Sequence, residues 1–185
     1  MNWSLFTAQG HRKYLTPLER AAFIEAASRI GGETGLFCLA LAVTGARISE
    51  VLQVTGDRLD EAAGVIVVET LKRRKRGIYR AVPVPRDLIQ ALQNLPTCEG
   101  SIQGTDTRLW RWSRTTAWKR VKTVMREAGL DGVIATPRAL RHGFAVGAVQ
   151  KRIALSVIKK WLGHSKIETT AIYADPTGPE ERELA

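Results

Sequence analysis

The chain has 185 residues, with 28 Lys or Arg against 18 Asp or Glu, which gives a formal net charge of +10 at pH 7. Its 44% hydrophobic and 25% charged residues are ordinary for a globular domain, so composition excludes an intrinsically disordered chain. There is no run of about 18 apolar residues, so no membrane span is predicted, and the histidines and cysteines lack the spacing of a metal site.

The first part of the chain predicts helices. The motif Thr16-Pro17-Leu18-Glu19 combines an N-cap residue, a first-turn proline and a capping-box glutamate, so a helix should begin there and end near residue 30. Residues 33–44 are apolar on nearly all sides, which is typical of a buried helix, and Gly45 should end it. A short helix over residues 48–53 should follow.

The middle of the chain predicts a basic β-hairpin. Residues 65–68 and 79–83 have the composition of strands, and residues 73–77 would form the turn between them. Residues 86–94 predict a short amphipathic helix, and residues 95–107 predict a loop.

The last part again predicts helices. A helix from about 114 to 128 should carry its apolar side chains on one side, namely Trp118, Val121, Met125 and Ala128. Thr136-Pro137 predicts the start of a helix to about residue 151, with shorter helices at 154–162 and 166–174. The predicted fold class is mainly α with a small antiparallel β-sheet or hairpin.

The positive charge is unevenly distributed along the chain. Segments 72–86 and 108–166 contain 21 of the 28 basic residues and two acidic ones, Glu127 and Asp131. Their net charge is +19, whereas the other residues sum to −9. A segregated basic field favours a polyanionic partner, nucleic acid first of all, over a solvated basic face or an acidic protein partner.

Several short motifs follow one another across residues 44–173, and in this order they resemble the tyrosine recombinase (phage integrase) family. The hairpin resembles the lysine hairpin of that family. The other matching stretches are Thr44-Gly45-Ala46-Arg47-Ile48-Ser49-Glu50, Ala139-Leu140-Arg141-His142, Leu162-Gly163-His164-Ser165 and Thr169-Thr170-Ala171-Ile172-Tyr173.

The resemblance implies a site-specific recombinase that cleaves and rejoins DNA through a 3′-phosphotyrosyl intermediate. The bond energy is conserved in the intermediate, so no cofactor is expected. The implied partners are double-stranded DNA and further copies of the chain, as a homo-tetramer on DNA. The implied location is the cytoplasm, in association with the nucleoid.

The resemblance also implies roles for individual residues. Arg47 and Arg141 would clamp the non-bridging phosphate oxygens, because the planar guanidinium suits two oxygens and keeps its charge. His164 would hydrogen-bond the phosphate, and Tyr173 would be the nucleophile. Lys72 would give a proton to the leaving 5′-oxygen, although counting back from the end of the hairpin favours Lys75 instead.

One position departs from the family motif, which is His-x-x-Arg with the histidine as proton acceptor. Here the first residue is Arg138, which cannot accept a proton at neutral pH. Either Arg138 adds a third cation at the phosphate, or the site is slow or inactive. We assign His142 a structural or supporting role, because it lies one step off the face shared by Arg138 and Arg141. Glu50 could orient Arg47 by an ion pair or be solvated.

The expected domain organisation is one catalytic domain over residues 1–185. It would have a helical start at 16–45, the hairpin at about 65–84 and C-terminal helices at 114–174, without a separate N-terminal DNA-clamp domain. The chain could be a fragment or a short recombinase similar to the fimbrial-type invertases. A non-catalytic DNA-binding module and a nicking-closing topoisomerase are the alternative functions.

Overall fold

The computed structural model describes residues 4–71, 77–96 and 107–174. In these residues it contains helices packed around one small sheet. The helices are α1 (Pro17–Ile30), α2 (Gly32–Thr44), α3 (Ile48–Val51), α4 (Arg86–Gln93), α5 (Arg114–Glu127), α6 (Pro137–Gln150), α7 (Leu155–Leu162) and α8 (Glu168–Ala171). The strands are β1 (Leu59–Asp60), β2 (Val65–Glu69) and β3 (Tyr79–Pro83). The predicted class, mainly α with a small antiparallel sheet, is confirmed.

The helix starts lie where local capping chemistry places them. Thr16 forms a complete capping box with Glu19, and Thr136 accepts a hydrogen bond from the Ala139 main chain before Pro137. Ser113 caps α5 in the same way. These caps satisfy main-chain N–H groups that the first turn leaves without partners. The last predicted helix is shorter than expected, because helical structure is limited to Glu168–Ala171.

The sheet has the order β1-β2-β3 with both pairings antiparallel, so the predicted hairpin gains a third strand that sequence analysis missed. Val67 lies opposite Ala81 at the centre of the hairpin. Along β3, Arg80 and Val82 are buried while their neighbours are more exposed. An arginine therefore points into the protein from this strand. Residues 72–76, which hold most of the predicted turn, lie outside the described residues.

Two clusters of buried side chains form the interior. The larger one extends from α1 and α2 through the sheet to α5, and includes an edge-to-face contact between Phe37 and Trp110 with ring centroids 5.1 Å apart. The smaller cluster joins the N-terminal segment at Leu5 and Tyr14 to α6, α7 and the end of the described chain at Tyr173.

Helix α5 presents a different face to the core from the one predicted. Its buried residues are Ala117, Val121, Val124 and Met125. Trp118 is 46% exposed, so its assignment to the apolar side was wrong. The small side chain of Ala117 takes that place, because i, i+4, i+7 and i+8 form the buried stripe of this helix. In the described part of the chain, no helix is both long and apolar enough to cross a membrane.

Candidate active site

A cleft of about 510 Å³ lies where the starts of α3, α5 and α6 meet the ends of α7 and α8. It brings together the five predicted site residues that the structure describes; the sixth, Lys72, lies outside the described residues. The lining side chains come from Arg47, Ile48, Ser49, Arg114, Trp118, Thr136, Pro137, Arg138, Arg141, His142, His164 and Tyr173. Arginine thus dominates the charge of the cleft.

Arg47 is positioned by the turn between α2 and α3. Gly45 ends α2 with φ +60°, and a Cβ there would lie 2.4 Å from the ring of Phe144, so this turn requires glycine. The Arg47 main-chain N–H donates to Glu50 Oε2 at 3.0 Å, and Arg47 Nη1 donates to Glu50 Oε1 at 2.7 Å. Glu50 is fully buried, which excludes the solvated alternative. The carboxylate therefore orients Arg47.

Arg141 is held from α6 by main-chain carbonyl groups of two other elements. Its Nη1 donates to the Gly45 carbonyl at 2.8 Å, and its Nη2 donates to the Leu162 carbonyl at 2.7 Å. Burial, reinforced by the nearby Arg47, lowers the pKa of Arg141 to about 9, so it stays charged at neutral pH. A guanidinium has five N–H donors, so these two bonds leave it able to bind an anion.

Arg80 is a buried charged residue behind the cleft that sequence analysis missed. From β3, its Nη2 donates to Glu50 Oε2 at 2.7 Å, its Nη1 to Thr70 Oγ1 at 2.9 Å and its Nε to the Trp161 carbonyl at 2.6 Å. Burial alone would raise the pKa of Glu50, but Arg80 and Arg47 outweigh it and lower that pKa. The alternation of buried and exposed residues in β3 could have revealed Arg80.

Tyr173 lies at the inner wall of the cleft and is 4% exposed. Its hydroxyl group lies 2.7 Å from Nδ1 of His142. Burial raises the pKa of Tyr173 to about 12, although Arg141, Arg138 and Arg47 oppose this effect. The phenol is therefore protonated at neutral pH and needs local help to act as a nucleophile.

His142 contacts Tyr173 directly, so the supporting role that sequence analysis gave it understated its position. Its Nε2 accepts a hydrogen bond from Arg138 Nε at 3.3 Å. Burial, followed by Arg138, Arg141 and Lys13, lowers the pKa of His142 to about 4. The signal was available in the sequence, because residues 138 and 142 are four apart in one helix and share a face.

His164 follows Gly163, which ends α7 in the left-handed conformation with φ +66°. Its Nδ1 lies 2.9 Å from Oγ1 of Thr170, the buried residue of α8. Burial, followed by Arg141 and Arg47, lowers the pKa of His164 to about 3. The residue is therefore a neutral imidazole on the wall of the cleft, with one ring N–H group that can donate a hydrogen bond.

Two predicted residues lie outside the described part of the chain, and two residues that were not predicted line the cleft. Lys72 and Lys75, the two candidates for the proton donor, lie outside the described residues. Arg114 and Trp118 line the cleft, but sequence analysis did not assign either to the site. Within the described ranges there is no group of three His, Cys, Asp or Glu residues that could hold a metal ion. The chemistry that these residues offer is fixed positive charge around a phenol.

Comparison with known proteins agrees with this arrangement. The model described as the phage integrase family matches residues 13–178. Tyrosine recombinase XerA of Pyrococcus furiosus is 28% identical over 177 residues, covering 92% of this chain and 60% of that protein. Tyrosine recombinase XerD of Brucella abortus is 34% identical over 140 residues, covering 67% and 45% respectively. The chain thus spans about half of the length of these curated relatives.

The fold comparison leads to the same family. A crystal structure of XerA recombinase superposes with a TM-score of 0.76 at 26% identity, covering 92% of this chain and 63% of that one. The match includes the motifs that carry Arg47, Arg141, His164 and Tyr173, because the family model extends over all four positions. The chain belongs to the phage integrase family.

Proposed function

We propose that this chain is a site-specific DNA recombinase that cleaves and rejoins DNA strands with Tyr173 as its nucleophile. The observation that carries the proposal is the cleft in which Arg47, Arg141 and His164 surround the same space as the Tyr173 side chain. The names of the curated relatives, which are tyrosine recombinases, support it.

The electrostatics of the cleft suit a phosphodiester under attack. In the transition state, negative charge builds up on the non-bridging oxygens, and fixed cations stabilise it best when water is excluded. Arg141 is held by two main-chain carbonyls and Arg47 by Glu50, so both guanidinium groups are positioned before DNA binds. The neutral His164 adds a hydrogen-bonding group on the same wall.

The bond changes balance without a cofactor. The Tyr173 oxygen forms a bond to phosphorus, and the bond from phosphorus to the 5′-oxygen breaks. Lys72 gives the 5′-oxygen its proton, with Lys75 as the alternative donor on the same hairpin. The phenolic proton leaves to water, because Arg138 cannot accept it. Attack by the 5′-hydroxyl of another strand reverses these changes and rejoins the DNA.

The proposed partners follow from the same reaction. Exchange between two duplexes needs four cleavages, so we assign the active form to a homo-tetramer on double-stranded DNA. The basic segments 72–86 and 108–166 supply the surface that would contact the phosphates. A protein of this kind would be nucleoid-associated.

The test is covalent capture of DNA. The full chain is incubated with a library of duplexes that carry a single nick flanked by randomised arms, and adducts that survive SDS are selected and amplified. The nick releases the short product, so that the covalent intermediate accumulates. The expected result is an adduct that Tyr173→Phe abolishes.

Tyr79→Phe is the matched control, because Tyr79 is 51% exposed and does not line the cleft. It should still form the covalent adduct. If Tyr173→Phe still forms adduct, the assignment of the nucleophile is wrong.

A further inference from the structure

Three side chains form a hydrogen-bonded chain that ends on the proposed nucleophile. Arg138 Nε donates to Nε2 of His142 at 3.3 Å, and Nδ1 of His142 lies 2.7 Å from the Tyr173 hydroxyl group. Arg138 and His142 are both on α6, and Tyr173 lies just after α8. His142 is 5% exposed, so its two ring nitrogens meet protein groups rather than bulk water.

The chemistry of these groups determines which nitrogen of His142 carries the proton. An arginine keeps its protons at neutral pH, so Nε2 of His142 must accept the bond from Arg138. Burial and the nearby cations Arg138, Arg141 and Lys13 keep the imidazole neutral, with its pKa at about 4. A neutral imidazole has one N–H group, and with Nε2 as the acceptor this group is at Nδ1. Nδ1 therefore donates to the Tyr173 oxygen.

We propose that Arg138 fixes the tautomer of His142, so that His142 acts as a hydrogen-bond donor to the Tyr173 oxygen and not as its base. Arg138 is then a positioning residue, and it supports the reaction by holding His142 in the donor form. This inference rests on the proposed function, in which Tyr173 attacks a DNA phosphate.

The donor bond directs the reaction in two ways. It occupies one lone pair of the phenolic oxygen, so the phenolic proton and the other lone pair point away from His142. It also stabilises negative charge on that oxygen as the proton leaves to water in the cleft. The oxygen then bonds to phosphorus, and the 5′-oxygen departs with a proton from the hairpin lysine.

The tautomer can be measured directly. Long-range ¹H–¹⁵N correlation spectra distinguish the protonated from the unprotonated ring nitrogen of each of the three histidines. We expect the Nδ1–H form for His142 at neutral pH, and a substantial population of the Nε2–H form in Arg138→Leu. An Nε2–H form in the unmodified protein, or a tautomer that Arg138→Leu leaves unchanged, would overturn the proposal.

The role in cleavage is tested with a matched pair of substitutions. Asn places an amide N–H close to the position of Nδ1 but cannot act as a base, whereas Leu provides neither function. On a duplex selected by covalent capture, the single-turnover rate of adduct formation should fall by about 100-fold in His142→Leu and by no more than about tenfold in His142→Asn. Equal losses in the two variants would overturn the donor role and favour a base.

Two further measurements separate the effect of the donor from effects on DNA binding and on folding. The DNA affinity and the thermal unfolding midpoint are measured for both variants, and the rates are compared where both variants are folded and saturated with DNA, so that the rate difference reports the donor. If the unmodified chain forms no adduct, the proposed function fails. The tautomer spectra then decide the inference alone, since they need no DNA.

Discussion

Position 138 holds an arginine where the family motif has a histidine. Because arginine cannot accept a proton at neutral pH, another group must take the phenolic proton. Sequence analysis left two accounts open, an added cation or a slow site, because the partner of Arg138 was not visible in the motif. The structure supplies that partner, since Arg138 donates to His142 and His142 contacts Tyr173. Arg138 therefore acts on Tyr173, the proposed nucleophile, through a neighbour four residues along the same helix.

The buried imidazole of His142 makes the stability of the fold depend on pH. Its pKa is lowered to about 4 in the folded protein, so between about pH 6.5 and pH 4 the unfolded chain binds a proton that the folded chain does not. The free energy of unfolding should fall as the pH is lowered through this window. The His142 contribution to the slope is about 1.4 kcal/mol per pH unit.

Denaturant titrations at several pH values measure this slope. His142→Gln should reduce it, because this substitution removes the group that takes up the proton on unfolding. A slope that His142→Gln does not alter would contradict the burial of a neutral His142.

The residues of the cleft could be predicted in part from the sequence. The family resemblance implied that Arg47, Arg141, His164 and Tyr173 share one site, and all four line the cleft. Helix spacing places His142 beside Arg138, but it does not show that His142 contacts Tyr173. The contact with Tyr173 depends on how the segment after α8 packs against α6, and local sequence does not determine that packing.

At the scale of elements, β3 is tied to the site by one buried arginine. Arg80 joins the hairpin to α3 through Glu50 and to the end of α7 through the Trp161 carbonyl. Its side chain is 4% exposed and that of Glu50 is fully buried, so water screens this pair little. Strand β3 is thereby anchored next to Arg47, which Glu50 also holds.

Removal of this arginine should destabilise the protein. Arg80→Met leaves the buried carboxylate of Glu50 with fewer partners, so we expect a loss of about 3 kcal/mol in the free energy of unfolding. Arg86→Met is the control, because Arg86 is an exposed arginine in the next element and should change stability by less than about 0.5 kcal/mol.

A double-mutant cycle separates the ion pair from general packing. Because Glu50→Gln removes the charge that Arg80 neutralises, Arg80→Met combined with Glu50→Gln should cost less than the sum of the two single variants. Additive losses, measured by denaturant unfolding, would show that the two side chains act independently.

Local sequence predicted the starts of most helices, whereas β1 and the buried face of α5 depend on tertiary contacts. Thr16, Ser113 and Thr136 mark helix starts because capping is a local interaction. Strand β1 has two residues, which is too short to show an alternation of apolar and polar side chains. It is defined by its antiparallel pairing with β2. The rotated buried face of α5 was decided by which side chain fits the neighbouring helices, which leaves Trp118 at the cleft.

For the whole molecule, the uneven charge predicts how DNA binding responds to salt. Each phosphate that the protein neutralises releases counterions, so the logarithm of the binding constant falls linearly with the logarithm of salt concentration. With 21 basic residues in two segments, we expect a slope steeper than about −4 for duplex DNA. A nearly flat dependence would exclude the basic field as the DNA surface.

Single substitutions test where that surface lies. Arg114 is exposed, belongs to the basic segments and lines the cleft, so Arg114→Gln should make the slope shallower by about 1. Arg29, exposed at the end of α1, lies outside those segments, and Arg29→Gln should leave the slope unchanged. Equal effects of the two variants in fluorescence-anisotropy titrations would contradict this location.

The position of the nucleotide in the adduct shows which tyrosine becomes joined to DNA. Tyr14, Tyr79 and Tyr173 are the three tyrosines of the chain, and trypsin would release them in the separate peptides 14–20, 77–80 and 167–182. Nuclease and trypsin digestion of the captured adduct, followed by tandem mass spectrometry, identifies the peptide that carries the nucleotide. The account predicts a nucleotide on Tyr173 in peptide 167–182, and a nucleotide on either of the other two peptides would contradict it.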